Sequence, residues 1–305
     1  MGYNKFVIDG ETKIDLTKDT VSSGVILNGY KAHDRSGEEI IGSILNRDKD
    51  SVVVDHDLNV VTILSGYYPN DVNISIAPPA PEYPENSIRL KEVGSTVKIT
   101  LNRTKEDFII VHQGLPSDVY SSTCDGTWLL QKNIFQRIEW GYHGGGGSQV
   151  PYPNTFINSI LNGNYLGIMD TDISSKILSV KIPYVDLYNR VNYGENGFGT
   201  KVFIPGMMEL GFSEAQNPGL LQDGSCLKYF EGTNPKGSDT KRVSTAVYFT
   251  RTVTSAYSYA WSNCMIDTIG DWYDVQLGSD SSGVRPMFIL PPDCKVDSSG
   301  LVYID

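Results

Sequence analysis

Cysteine is scarce in this chain. There are four in 305 residues, at positions 124, 226, 264 and 294, and no two form a CxxC pair. That spacing excludes a zinc-finger cluster and a thioredoxin-type motif. Free thiols are the expectation, with one late disulfide as the alternative. Histidine also numbers four, at 33, 56, 112 and 143, without HExxH. No apolar run approaches the ~18 residues that a membrane-spanning helix needs. The opening MGYNKFVIDGE has no apolar core of a secretory signal, and Phe6 stands where a myristoylation signal requires Ser or Thr. Basic excess is missing too: 25 Lys and Arg face 36 Asp and Glu, for a net charge of −11. Residues 1–76 and the remainder are each acidic, so no basic face is available for nucleic acid or for insertion at an anionic membrane. GxSxG, a Walker loop and GxGxxG are absent. The acid pairs Asp55/Asp57, Asp170/Asp172 and Asp271/Asp274 lack the alternating carboxylates of a calcium loop and read as turns and caps. The expectation is no enzyme, no catalytic residue, no metal and no cofactor.

What the chain does have is a change of character at residues 77–85, APPAPEYPE. Proline fixes φ and removes a backbone donor, so this stretch reads as a stiff, extended Pro-rich linker. It separates a short acidic module, residues 1–76, from a longer segment, residues 86–305, that is rich in Tyr, Trp, Gly and Asn. At 40% hydrophobic and 20% charged, the composition is that of a globular protein. The module is β-rich and short of core. A hairpin is predicted around Asp9-Gly10, another across residues 51–64, and a strand over residues 72–76. In the longer segment residues 87–100 and 107–112 read as strands. Residues 154–162 read as a helix stopped by Gly163, and residues 172–180 as a helix capped by Asp172. From Val243 onward the pattern is strands. Short strands with two early helices and long irregular connections predict an α+β domain.

Two groups of side chains stand out. Tyr257, Tyr259, Trp261, Asn263, Trp272 and Tyr273 lie close in sequence. Aromatic rings with polar tips, beside Asn and Asp, suit a saccharide or protein surface: rings stack while amides and carboxylates take hydroxyls. Strand alternation that sends one side into the core is the competing explanation. Arg251 and Arg285 sit in otherwise apolar strands and are expected to find a buried carboxylate or loop carbonyls.

The stretch DLTKDTVSSGVILNGYKAHDRSGEEIIGSI, followed by ILSGYYPNDVNISI, resembles a module of bacteriophage tail and baseplate-associated proteins from Gram-positive hosts. Asp19, Thr20, Val21, Gly29, Tyr30, Ala32, His33, Asp34, Gly37, Ile40, Gly42, Gly66 and Tyr67 carry the likeness. The ordered set CDGTWLL, YPNTFINSILNGNYL, ISSKILSVKIPY, KVFIPGMMELGF, DGSCLKYFEG, KRVS and GVRPMFIL is similar to a domain of phage tail proteins and Firmicutes surface proteins. That domain is similar in arrangement to the C-type-lectin-like fold. These resemblances imply a virion structural protein. Residues 1–76 would attach it to other virion structural proteins or build a fibre. Residues 86–305 would be a C-type-lectin-like binding head for a host cell-surface glycan or protein. A homo-oligomer, a trimer, would supply the core that the module lacks. The location implied is the virion, assembled in the host cytoplasm. The alternatives are a head or neck decoration protein without a host ligand, and an enzyme acting on cell-wall glycans.

Overall fold

Asp9 and Gly10 both take left-handed backbone, with φ of 50° and 80°. That geometry is what a two-residue hairpin turn requires, and it joins β1 (Lys5–Ile8) to β2 (Glu11–Asp15). In the computed structural model, residues 5–18, 20–46, 52–55, 60–63, 82–141, 150–186, 188–217, 219–254, 262–276 and 281–304 are described. The chain divides into two compact units, Met1–Glu82 and Tyr83–Asp305.

Two further hairpins follow in the first unit. One is β3 (Lys31–His33) with β4 (Glu39–Ile41), and the other is β5 (Val52–Asp55) with β6 (Val60–Ile63). The β3–β4 turn is set by the Asp34 carboxylate, which accepts from the Ser36 and Glu38 backbone N–H groups at 2.8 and 3.1 Å. Gly42 lets two segments touch, because a Cβ there would lie 2.2 Å from the Leu27 carbonyl oxygen. The strand expected at residues 72–76 and most of the Pro-rich linker lie outside the described residues.

The second unit is mostly β-structure with few helices. Its first five-stranded sheet runs β15-β20-β9-β8-β7, all neighbours antiparallel, from β7 (Thr96–Leu101), β8 (Thr104–Gly114), β9 (Gly126–Gln131), β15 (Val202–Phe203) and β20 (Met287–Leu290). The second runs β10-β19-β16-β17-β18. It is made by β10 (Gln136–Glu139), β16 (Tyr248–Thr254), β17 (Ser262–Ile266), β18 (Trp272–Gln276) and β19 (Ser281–Val284), with β16 and β19 parallel. β9 and β16 are buried along their whole length, and the polar side chains of β16, Thr250, Arg251, Thr252 and Thr254, are buried with it. A two-part arm, β11 (Val180–Ile182) with β14 (Phe198–Thr200) and β12 (Tyr184–Val185) with β13 (Val191–Asn192), links helices to sheet. A last pair, β21 (Lys295–Val296) and β22 (Val302–Tyr303), closes the chain. Both ends of the unit meet: Ile88 N–H donates to the Cys294 carbonyl and Val296 N–H to the Asn86 carbonyl. Trp128 anchors the core. It is fully buried, its indole N–H is shared between the Gly114 and Cys124 carbonyls, and it stacks edge-on with Tyr120 and Phe203.

Three sequence expectations change. Residues 87–100 begin with a 3-10 turn, Ile88–Leu90, capped by Ser87, and become strand only at Thr96. Gly163 does not stop its helix. α1 (Phe156–Ile160) passes into a π-helical turn, Leu161–Tyr165, and then α2 (Leu166–Ile168), because Ile157, Leu161 and Tyr165 give one continuous buried face. α3 (Thr171–Lys176) is capped by Asp170, whose carboxylate accepts from Asp172 N–H, not by Asp172 itself. Cys124, Cys264 and Cys294 are buried and Cys226 is exposed, and all four are free thiols.

Between β15 and β16 lie more than forty residues, and those described form no strand and only short 3-10 turns. Arg242, fully buried, holds this stretch. Its guanidinium donates to the carbonyls of Leu210, Gly237, Asn234 and Gly270 and to the Thr233 hydroxyl, and it lies 3.7 Å from the centre of the Phe212 ring. Arg242→Lys keeps the charge but replaces a planar five-donor fork with a point donor. We expect a loss of about 2–4 kcal/mol, read as a lowered melting temperature of the intact chain.

Candidate functional site

Of the six aromatic and amide side chains picked out in the sequence, Tyr257, Tyr259 and Trp261 lie outside the described residues. Asn263 sits on β17 at 1% exposure; it belongs to the interior and is not available as a surface contact. Trp272 is half-buried against the core and donates its indole N–H to Asn217 at 3.1 Å. Tyr273, next along β18, is 40% exposed. Strand alternation puts Trp272 on the face opposite Tyr273, while Asn263 shares the Tyr273 face by register but is buried, so the three described members do not form one exposed surface.

Arg251 lies at the centre of a buried ionic cluster. Its two terminal nitrogens each donate at 2.6 Å to one oxygen of Glu209, a bidentate pair. The remaining N–H groups go to the carbonyls of Pro183, Ile204 and Asp223, so all five donors of the guanidinium are used. Glu209 also accepts from the Tyr120 hydroxyl and from Gly206 N–H. The Asp223 carboxylate accepts from Thr252, whose hydroxyl oxygen in turn accepts from Met207 N–H. Gly206 and Gly224 make room: a Cβ on either would fall within 3.4 Å of Arg251 and closer still to Asp223 or Tyr120. Burial opposes charge on Arg251, but Glu209 and then Asp223 outweigh it and raise its pKa. Burial, opposed by Arg251 and aided by the charge of Glu209, raises Asp223 from its ordinary 3.8 to about 6. Arg285, the other arginine expected to be structural, donates to the Gln131 carbonyl at 2.7 Å and lies over the Tyr248 ring.

This cluster has the residue types of an acid–base centre, yet the side chains of Arg251, Glu209 and Asp223 are fully shielded from solvent. A substrate has no access to it, and its chemistry is that of a staple. Glu209 and Asp223 were not found by sequence reasoning. The one available signal was a lone carboxylate in the apolar run KVFIPGMMELGF.

The exposed chemistry lies on the arm. At its tip the Asp186 carboxylate accepts from the N–H groups of Tyr188 and Arg190 and pairs with the Arg190 guanidinium at 2.7–2.8 Å. Loss of water is the largest single influence and would raise Asp186, but the bonds to Arg190 and Tyr188 together overcome it and hold the carboxyl down at about 2. Asn189 takes φ of 59°, completing the turn. Tyr188 is 76% exposed with Arg190 over its ring at 4.9 Å, and Tyr193 is also exposed. The turn is thus fixed before any partner arrives.

At the base of the arm is an open groove of about 520 Å³. Asn158, Asn162 and Leu166, at successive four-residue steps along α1, the π turn and α2, form one wall. The other is made by Lys181, Phe198, Gly199 and Lys201, with Thr123 and Ser179 at the ends. Asn162 is saturated: its oxygen accepts from Thr200, Lys201 N–H and Val202 N–H, and its amide nitrogen donates to Asn158 and to the Val202 carbonyl. Among the described residues, no group of three or more His, Cys, Asp and Glu side chains is placed to hold a metal ion, and no helix is long and apolar enough to cross a membrane.

A β-rich domain, stapled internally by arginine and exposing Tyr188, Arg190 and Tyr193 on the β12–β13 turn region, is the class this geometry defines. The chain belongs to the DUF6273 family, a domain of unknown function, which matches residues 125–292. No curated protein and no solved structure matches it.

Two outcomes test the staple. Arg251→Met leaves Glu209 and Asp223 buried without their cation, and the second unit should lose about 3–5 kcal/mol, measured by thermal or denaturant melting. Asp223 has a folded-state pKa above its unfolded one. Its stabilising contribution is therefore full below pH 3.8 and is lost as pH rises through about 6. Asp223→Asn should flatten the decline in melting temperature between pH 4 and 7; an unchanged slope would assign that decline to other groups.

Proposed function

We propose that this is a non-enzymatic virion structural protein of the phage tail or baseplate kind. The first unit assembles with copies of itself and with other virion proteins, and the second presents a binding head to a host-surface glycan or protein. One observation carries the reading. Across the described part of residues 5–46 only Gly37 and Gly42 are buried, while Phe6, Val7, Ile8, Ile14, Val25, Tyr30, Ile41 and Leu45 are all exposed. Among the described residues, every buried apolar side chain of the core comes from residue 88 onward. Two-stranded hairpins with exposed apolar side chains are not stable alone in water, and symmetry-related copies are the economical way to cover them. The likeness of residues 9–76 to tail and baseplate modules points the same way.

The finer assignment of the second unit, an α+β domain of C-type-lectin-like arrangement, belongs to this proposal. Its support is the pairing of the unit's two ends and the long irregular connections carried between short strands. A rigid tip with Tyr188 and Arg190 outward suits adhesion, since Tyr and Arg are the residue types that dominate binding surfaces and a fixed turn loses little entropy on contact.

Sedimentation equilibrium of the full chain beside residues 83–305 tests the division of labour. The full chain should sediment as a trimer with a melting temperature that rises with concentration, and the shorter chain as a monomer. A full chain that stays monomeric at micromolar concentration with its first unit folded would sink the reading.

A further inference from the structure

We propose that the groove at the base of the arm binds an anionic saccharide, a sugar carrying a carboxylate, and that Lys201 and Gly199 are its principal contacts. This deepens the adhesion reading above and rests on it for the ligand's source. Three observations carry it.

The first is a free backbone edge. Lys181 turns its N–H to the Thr123 hydroxyl at 3.1 Å and its carbonyl to the Cys124 thiol, away from β14. In an antiparallel ladder, the residue opposite such a position also turns its N–H and C=O outward. That residue is Gly199, which is exposed and lines the groove. The edge is one residue long, because Asn162 already takes the N–H groups of Lys201 and Val202. A peptide strand cannot extend along it, whereas a single hydroxyl-bearing ring can use one donor and one acceptor.

The second is charge. The groove lining contains two lysines and no acid, on a chain of net charge −11. Lys181 is paired with Glu195 at 2.8 Å. Lys201 is half-buried and has no ion-pair or side-chain hydrogen-bond partner among the described residues. An anion entering here meets a cation that no described residue pairs with.

The third is shape. A space of about 520 Å³ is within the range that accommodates a small ligand. The half-buried Phe198 and Leu166 offer apolar faces beside the Ser179 hydroxyl and the Asn158 amide. An apolar face edged by hydroxyl and amide groups matches the two-sided chemistry of a sugar ring. The helical wall is shaped by the π turn at Leu161–Tyr165, an irregularity that recurs at functional sites.

Isothermal titration of the full-length protein tests this with four probes: a trisaccharide of galacturonic acid, its methyl ester, inorganic phosphate, and a tripeptide with a free C-terminal carboxylate. The acid trisaccharide should bind saturably, at least ten-fold more tightly than the methyl ester, and should weaken as salt is raised. Lys201→Gln should reduce affinity at least ten-fold. Gly199→Leu should abolish binding while leaving the melting temperature near that of the parent, since a Cβ at Gly199 meets nothing within 4 Å. No saturation with the acid trisaccharide, or equal affinity for its ester, overturns the proposal. So does tighter binding of phosphate or of the tripeptide, or binding that survives both substitutions. A trimer that fails to bind sugar removes this groove and leaves the assembly reading intact; a monomer that binds sugar does the reverse.

Discussion

The second unit depends on keeping more than forty residues of irregular chain dry. Backbone carbonyls that leave the ladder still need donors when they are buried, and sheet and helix cannot supply them between β15 and β16. The guanidinium group can, because it is planar, always charged and carries five donors in a fixed fork. Arg242 answers four carbonyls and a hydroxyl, and Arg251 answers three carbonyls and a carboxylate. Each brings together segments far apart in sequence. The difference between them lies in compensation. Arg251 has Glu209 in bidentate contact, whereas Arg242 has carbonyl dipoles, the face of Phe212 and the more distant charges of Asp239 and Asp271. Burying a charge is costly, so the cluster is best understood as fixing which loops meet. It is weaker evidence for a gain in net stability.

Local signals were readable from the sequence, and non-local ones were not. Asp9-Gly10 implied a hairpin because only left-handed backbone closes so short a turn, and a carboxylate or carbonyl partner for Arg251 and Arg285 followed from the cost of an unpaired buried charge. Gly163 misled because a stop signal competes with packing, and the buried face through Ile157, Leu161 and Tyr165 won. Asp170 rather than Asp172 became the cap through a shift of two residues, smaller than the pattern resolves. For the described members of the aromatic group, Asn263, Trp272 and Tyr273, the sequence left burial open. Alternation shows that a strand has two faces without saying what covers each, and the partner of Trp272, Asn217, lies 55 residues away. The same type of signal was present in YVDLYNRVNYG, where Asp186 and Asn189 mark a turn and Tyr188 stands outside it.

The buried cluster and the exposed groove divide the chemistry between them. The Arg251, Glu209 and Asp223 side chains are sealed from solvent, and their hydrogen bonds are made within the protein. Lys201 and the backbone of Gly199 line the open groove beside the ring of Phe198. Asn162 connects the two worlds: by saturating itself against the end of β14 it ends the free edge after one residue, which converts a potential strand-docking site into a pocket for something compact.

The matched family segment, residues 125–292, is not by itself a complete folding unit. It contains β9 and β20 but not β7 and β8, and β8 pairs along nearly the whole of β9. Cut at residue 125, the segment would expose an open edge on the most buried strand of the sheet, with Trp128 deprived of the Gly114 carbonyl that its indole contacts. At the other end, Cys294 and Val296 receive and donate the bonds that join residues 86–88 to the body. Ile88, itself wholly buried, would leave with them. The physical domain therefore begins near Tyr83 and runs through β22, and a sheet completed from both flanks is the condition under which the arm and its groove are held in place.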